Sequence, residues 1–488
     1  MTAKLCQEVF TKKNITHAIL KSPMKKLPPR KIASLLVFIF LLFLLPFSMN
    51  LVKKVQYFFG QAFGQKADIV VNVTIDQGPI KPIWQALAQG GEEKNPFDQI
   101  INDIAVLKPK YIRIDHLYDF YDVVKKENGQ LVFNWSQLDQ IVNHILKTGA
   151  LPFFSLSYMP PAIAQNGDIT NPPNDWNDWQ MVVRETIQHY SGRQNMNLKN
   201  VAYEVWNEPD LFGQWQIGGK KDYRLLYQFA VLGANQVNNT NLFKIGGPGI
   251  TAPYQNWVDG FLSYVSQNHL KIDFYSWHRY TTEPKKFQED IDKVDNWLFK
   301  NGGLTLEKFI TEWGSVSENS PLHDNSFDAA HLIATVRQLI QRVDLAFVFE
   351  IKDGPSPEGK KYWGRWGLLT HQIAGPVEKK PKYWALTLLN KMIGNRVSLE
   401  GEGDWITGFA VKENSKVKII LVNLDEKGQN FENVPLTIEN LENGDYYYQE
   451  TFLVGVGKKT NESITNNILQ KEIPLSTNNI VVVEITKI

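Results

Sequence analysis

The chain has 488 residues, of which 43% are hydrophobic and 21% charged, and its net charge is +1. That balance suits one large globular domain with a smaller one, and it excludes the charge excess that would draw the whole chain to nucleic acid. The single cysteine, Cys6, rules out an intramolecular disulfide, and nine scattered histidines without a CxxC pair give no reason to expect a metal or any other cofactor.

The N-terminus reads as a membrane anchor. Residues 1–31 carry Lys4, Lys12, Lys13, Lys21, Lys25, Lys26, Arg30 and Lys31, and from Ile32 the chain runs "IASLLVFIFLLFLLPFSM" without a charge. A helix rising about 1.5 Å per residue over such a run nearly crosses a hydrocarbon core of about 30 Å. The basic flank places 1–31 in the cytoplasm as a tail, 32–52 as the transmembrane helix, 53–67 as a juxtamembrane linker, and the remainder on the extracytoplasmic side. Secretion after signal cleavage is the alternative, although "GQAFGQKAD" offers a poor small-x-small site.

After Asp68 short apolar runs alternate with longer amphipathic ones, the rhythm of an α/β protein whose parallel strands are joined by crossover helices. Expected strands are "KYIRID", "LPFFSLS", "NVAYEVW", "FKIGGPG", "DFYSWH", "KFITEW" and "LAFVFEI", with "IVVNVT" or a neighbouring segment as the first. Helices are expected near 135–147, 175–191, 220–237, 254–267, 284–299, 326–342 and 380–392. The count approaches a (β/α)8 TIM barrel over 68–395, and the competing doubly wound sheet lacks a GxGxxG or GxxxxGK[ST] after any strand. From 396 to 488, runs such as "KVKIILVNL" and "NIVVVEITKI" between Gly, Asn and Lys turns predict an antiparallel β-sandwich.

In a barrel of this kind the strand C-termini face the active site, so polar residues that end apolar runs matter most. The fourth strand ends at Asn207-Glu208 in "VWNEPD", the sixth at His278 and Tyr280 in "SWHRY", and the seventh at Glu312 in "TEWGS". Two carboxylates facing one cleft fit a retaining glycosidase, one as acid and then base, the other as nucleophile. Taken alone, each glutamate could equally be a solvated carboxylate or a helix cap, and His278 with Tyr280 a satisfied core pair. The aromatic content, 14 Trp and 18 Tyr, suits both a large core and a sugar cleft. Glu204, four residues before Glu208, is expected deeper in the barrel in a structural role. The loop "SYMPPAIAQNGDITNPPND" is expected at the cleft wall, and Glu350, Lys352, Asp353, Trp363 and Trp366 after the last strand are candidate sugar contacts.

"WNEPD" and "TEWGS", with "KYIRIDHLYD" and "WGLLTHQIAGPVEKKPKYWALTLLNKM", resemble the retaining clan A glycoside hydrolases, and among them glycoside hydrolase family 39, which includes β-xylosidases and α-L-iduronidases. The resemblance runs from about 68 to 395 and implies a β-sandwich for the tail. It implies Glu208 as general acid/base, Glu312 as nucleophile, Asn207 as donor to the hydroxyl beside the anomeric carbon, and Tyr280 as a hydrogen-bond partner of the nucleophile. His278 would line the cleft and Arg113 would hold Glu312 anionic. Two residues after that arginine the family typically has a histidine, whereas this chain has Asp115 with His116 following, which implies a different sugar contact there. The expected partner is an oligo- or polysaccharide, besides the membrane; a glycan-binding protein without turnover, or a transglycosylase of envelope polysaccharide, are the alternatives.

Overall fold

The computed structural model describes residues 64–488 other than 92, 303–304 and 362–363. The expected tail 1–31, the anchor 32–52 and most of the linker 53–67 lie outside the described residues. Among the described residues no helix is long and apolar enough to cross a membrane.

The first strand, β1 (Ile69–Pro79), does not enter the barrel. Its buried residues alternate, Ile69, Val71 and Val73 inward with the opposite face partly exposed. That suits a sheet with one covered face, whereas a barrel strand is buried on both. The neighbouring segment, β2 (Ala86–Gln89), is buried at every position and takes the place instead.

Eight parallel strands close the barrel. β2 is followed in it by β3 (Tyr111–Ile114), and an exposed hairpin of β4 (Val124–Glu127) and β5 (Gln130–Phe133) is inserted after that strand. The circuit continues through β6 (Leu151–Ser155), β7 (Val201–Glu204), β8 (Phe243–Ile250), β9 (Phe274–Tyr280), β10 (Glu307–Gly314) and β11 (Leu345–Phe349), which pairs back onto β2. Crossover helices cover the outside, most of them with one apolar stripe. In Ser136–Lys147, for example, Leu138, Ile141, Val142 and Ile145 are buried at helical spacing.

Inside the barrel the two-residue period stacks side chains in layers. Ala86, Ala88, Phe153, Ala202, Phe274, Phe309 and Phe347 form an apolar floor, with Phe153 and Phe347 centroids 4.7 Å apart and Phe274 and Phe309 4.5 Å apart. Two residues further along the same strands stand Ser155, Glu204 and Ser276, all fully buried. The floor therefore seals the polar layer from water below.

The remaining strands are β12 (Asn395–Glu400), β13 (Ile406–Glu413), β14 (Lys416–Asn423), β15 (Glu432–Glu439), β16 (Gly444–Phe452), β17 (Lys459–Ile464), β18 (Ile468–Leu475) and β19 (Ile480–Lys487). With β1 they form a nine-stranded sheet in the order β17-β16-β19-β14-β13-β12-β1-β15-β18. Its pairs are antiparallel except β1 with β15, and where a sandwich of the tail alone was expected, the tail joins β1 from the start of the catalytic segment in one continuous sheet. Val417, Ile419 and Leu421 of β14 join this sheet's own core, while Ile420 and Val422 join the barrel's. The unbroken apolar run in β14 reflects a strand buried on both faces.

Candidate active site

β7 ends at Glu204, and beyond it Trp206 (φ 78°) and Glu208 (φ 44°) adopt left-handed backbone, which costs a non-glycine residue roughly 1–2 kcal/mol. Hydrogen bonds offset that cost. Glu208 N donates to Gly249 O at 2.9 Å, Leu211 N and Phe212 N donate to Glu208 O at 2.9 and 2.7 Å, and Trp206 Nε1 donates to Phe212 O at 3.0 Å. Asp210 accepts from Thr251 N at 3.1 Å, tying the turn to the loop after β8.

On β10 the site depends on a bulge. Phe309 and Ile310 pair with Ser276 and Trp277, but the next residue to pair, with His278, is Glu312, leaving Thr311 extra. Strict alternation from Phe309 in the floor would send Thr311 inward and Glu312 outward. The extra residue reverses that parity and aims Glu312 into the cleft.

His278 stands between the two glutamates, its Nδ1 2.8 Å from Glu208 Oε1 and 3.7 Å from Glu312 Oε2. One oxygen of each carboxylate and one ring nitrogen all lie within 4.8 Å of one another. One donor from each could hold a cation, but the Nδ1 of His278 is already engaged by Glu208, and the same grouping is close enough for proton transfer. Tyr280 OH donates to Glu312 Oε1 at 2.6 Å.

Arg113, fully buried, is clamped by Glu204: its Nε and Nη2 donate to Glu204 Oε2 at 2.9 and 2.8 Å. The same Nη2 donates to Asn207 Oδ1 at 2.8 Å, and Asn207 Nδ2 donates to Tyr158 OH at 2.9 Å. Gly249 (φ 62°) makes room for this network, since a Cβ there would come within 2.9 Å of the Glu204 carboxyl carbon. Arg113 also reaches Glu312, the residue it was expected to hold anionic. Its Nη1 is 3.6 Å from Glu312 Oε2, a weaker contact than those to Glu204 and Asn207. Burial, aided by the charge of Glu208, pushes the Glu312 carboxyl up to about 7 against the pull of His278, Arg113 and Tyr280. Burial opposes the charged form of His278, yet Glu312 and Glu208 raise its pKa overall.

The other expected contacts divide. Trp366, half-buried, lines a cavity of about 490 Å³ that holds both glutamates together with Phe349 and Tyr280. Asp115 is buried beside Arg113, and burial pushes its carboxyl up; its Oδ1 has no hydrogen-bond partner among the described residues. His116 turns aside, its Nδ1 2.6 Å from Asp119 Oδ2 and its ring 4.7 Å from that of Tyr158. Glu350 is fully buried and accepts from Gln89 Nε2 at 2.9 Å. Lys352 pairs with Glu93, and Asp353 with Lys380 at 2.6 Å, so neither is presented as an open sugar contact. Trp363 lies outside the described residues. Of the loop expected as a cleft wall, Tyr158 reaches Asn207, whereas Ile163 and Ala164 pack into the core. Tyr158 was the residue missed, and its position in "SLSYMP" at the end of the third barrel strand was the available signal.

Residues 68–439 match glycosyl hydrolases family 39. The chain is similar to the beta-xylosidase of Caldicellulosiruptor saccharolyticus, 27% identical over 355 residues, which is 65% of this chain and 70% of that one. It is also similar to the beta-xylosidase of Geobacillus stearothermophilus, 26% identical over 305 residues, 55% of this chain and 58% of the relative. Among solved structures the GH39 enzyme from Xanthomonas axonopodis pv. citri superposes with a TM-score of 0.74 at 18% identity, covering 87% of this chain and 98% of that one. With its barrel and second sheet, and with the family match spanning most of its length, the chain belongs to glycoside hydrolase family 39 and is a glycoside hydrolase.

Proposed function

We propose that the protein cleaves β-xylosides or closely related glycosides from chain ends by double displacement through a covalent glycosyl-enzyme. The observation that carries this reading is the close approach of Glu208 and Glu312, one oxygen of each within 4.8 Å of the other and both reached by His278 Nδ1, which leaves little room for a water between them. Inverting pairs stand about 6.5–9.5 Å apart to admit a water, whereas retaining pairs are about 5–5.5 Å apart. The choice of xylosides rests on the two beta-xylosidase relatives.

Glu208 protonates the glycosidic oxygen as that bond breaks, and Glu312 attacks the anomeric carbon. Positive charge developing at that carbon favours the anionic form of Glu312, the form that attacks. Water, deprotonated by Glu208, then releases the sugar from Glu312. Asn207 gives one amide hydrogen to Tyr158 and has a second for the hydroxyl beside the anomeric carbon. The test is to follow the product of an active glycoside by proton NMR: first-formed product with retained configuration agrees, and inverted product refutes double displacement. A screen of nitrophenyl xylosides, arabinosides, glucosides, galactosides and uronides identifies the sugar.

We also propose that residues 32–52 anchor the enzyme in a membrane with the barrel on the extracytoplasmic side, on the strength of the charge-free run and its basic flank. Full-length protein that carbonate washing strips from membranes would contradict the anchor.

A further inference from the structure

Leu211, Phe212 and Tyr254 are 57%, 41% and 41% exposed, and all three line the cavity that holds Glu208 and Glu312. Single exposed apolar residues are ordinary, but three that share one cavity with two carboxylates form a surface with something to cover. They are also held in place. Leu211 and Phe212 sit on the turn whose amides bond to the carbonyl of Glu208, and Phe212 lies 5.6 Å edge-on to Tyr158. Tyr254 OH lies 3.2 Å from Thr251 Oγ1, and Thr251 is bonded to Asp210 on that same turn.

The Glu312 side of the cleft differs in carrying polar groups against the carboxylate. Tyr280 donates to Glu312, and His278 Nδ1 and Arg113 Nη1 stand 3.7 and 3.6 Å from it, on the side where the sugar that becomes bound must sit, with Phe349 and Trp366 completing the lining. The apolar group is built on the Glu208 turn, and in the proposed reaction Glu208 serves the leaving group. We propose that Leu211, Phe212 and Tyr254 form the leaving-group subsite, and that it takes an uncharged group with a flat apolar face. An aryl ring and the C–H face of a neutral pyranose share that chemistry; a uronate does not, since its carboxylate would lose solvation against Leu211 and Phe212.

The inference rests on the proposed reaction for the direction of the site, and its test does not depend on turnover. Calorimetry compares phenyl and methyl 1-thio-β-D-xyloside, which resist hydrolysis, on the full chain and on its Phe212→Ala and Leu211→Ala variants. The phenyl compound is expected to bind about tenfold tighter than the methyl one, and each variant to lose most of that ratio with little change for methyl. Equal binding of the two compounds, or their absence of binding, overturns the subsite, as does a ratio unmoved in both variants. Kinetics then separates the sources and the reading itself. Xylosyl fluoride has a leaving group that touches nothing on the turn, so the fall in kcat/KM in Phe212→Ala should be about tenfold greater for nitrophenyl xyloside, and for xylobiose if both aryl and sugar faces are taken, than for the fluoride. An equal fall on the fluoride contradicts a leaving-group role. Failure of the unaltered protein to turn over any glycoside refutes the proposed reaction, leaving the binding ratio to judge the subsite.

Discussion

The floor and the mouth of the barrel draw on the same strands, with Glu208, His278 and Glu312 six, four and three residues beyond Ala202, Phe274 and Phe309, and they obey different rules. At the floor Phe153, Phe274, Phe309 and Phe347 follow the two-residue alternation and pack ring on ring. At the mouth the alternation is broken where the chemistry sits, by the extra Thr311 before Glu312 and by the left-handed Trp206 and Glu208. The floor contributes stability. The mouth holds Glu312, a carboxylate whose burial opposes its charged form.

The comparison breaks most sharply if changes at the mouth and the floor affect the same quantity. Glu312→Gln is expected to lower kcat on an active xyloside by on the order of 10⁴-fold with the fold unchanged by circular dichroism. Phe274→Ala is expected to lower stability by about 3–5 kcal/mol in urea titration, while kcat per folded molecule stays near that of the parent. Loss of activity without loss of stability in that variant would erase the distinction.

The strands after the first and their succession around the barrel were legible because short apolar runs alternating with amphipathic segments are a local signal. Glu208, Glu312, His278 and Tyr280 were legible because each ends an apolar run, and the structure brings all four to one cavity or its wall. What escaped was non-local. The clamp of Glu204 on Arg113 joins residues 91 apart in sequence, and no spacing announces it. The bulge at Thr311 is invisible in "KFITEWGS", because only pairing with β9 shows which residue is extra. β1 was ambiguous for a related reason, since "IVVNVT" reads as a strand in either sheet until its partners are known.

A second contrast concerns pH. The folded-state pKa of Glu312 is raised, to about 7 from 4.5. A raised carboxyl favours the folded state fully below the unfolded pKa, and that contribution is lost as pH rises through the folded one. The parent should therefore lose up to about 3 kcal/mol relative to Glu312→Gln between pH about 4.5 and pH about 7, as read from paired urea titrations. Phe274→Ala should show no such trend. The smallest effect is expected for Glu204→Gln, which keeps the shape but removes the charge facing Arg113, at about 2 kcal/mol of stability. Its activity should fall about tenfold, through kcat more than KM, if the clamp positions Asn207 for the transition state.

The most direct test of the two-carboxylate account is to trap the intermediate. The chain is incubated with 2,4-dinitrophenyl 2-deoxy-2-fluoro-β-D-xyloside, whose fluorine slows release of the bound sugar, and digested with pepsin for mass spectrometry. The account predicts a stoichiometric fluoroxylosyl adduct on the peptide containing Glu312, absent from Glu312→Gln. An adduct on another residue would contradict it.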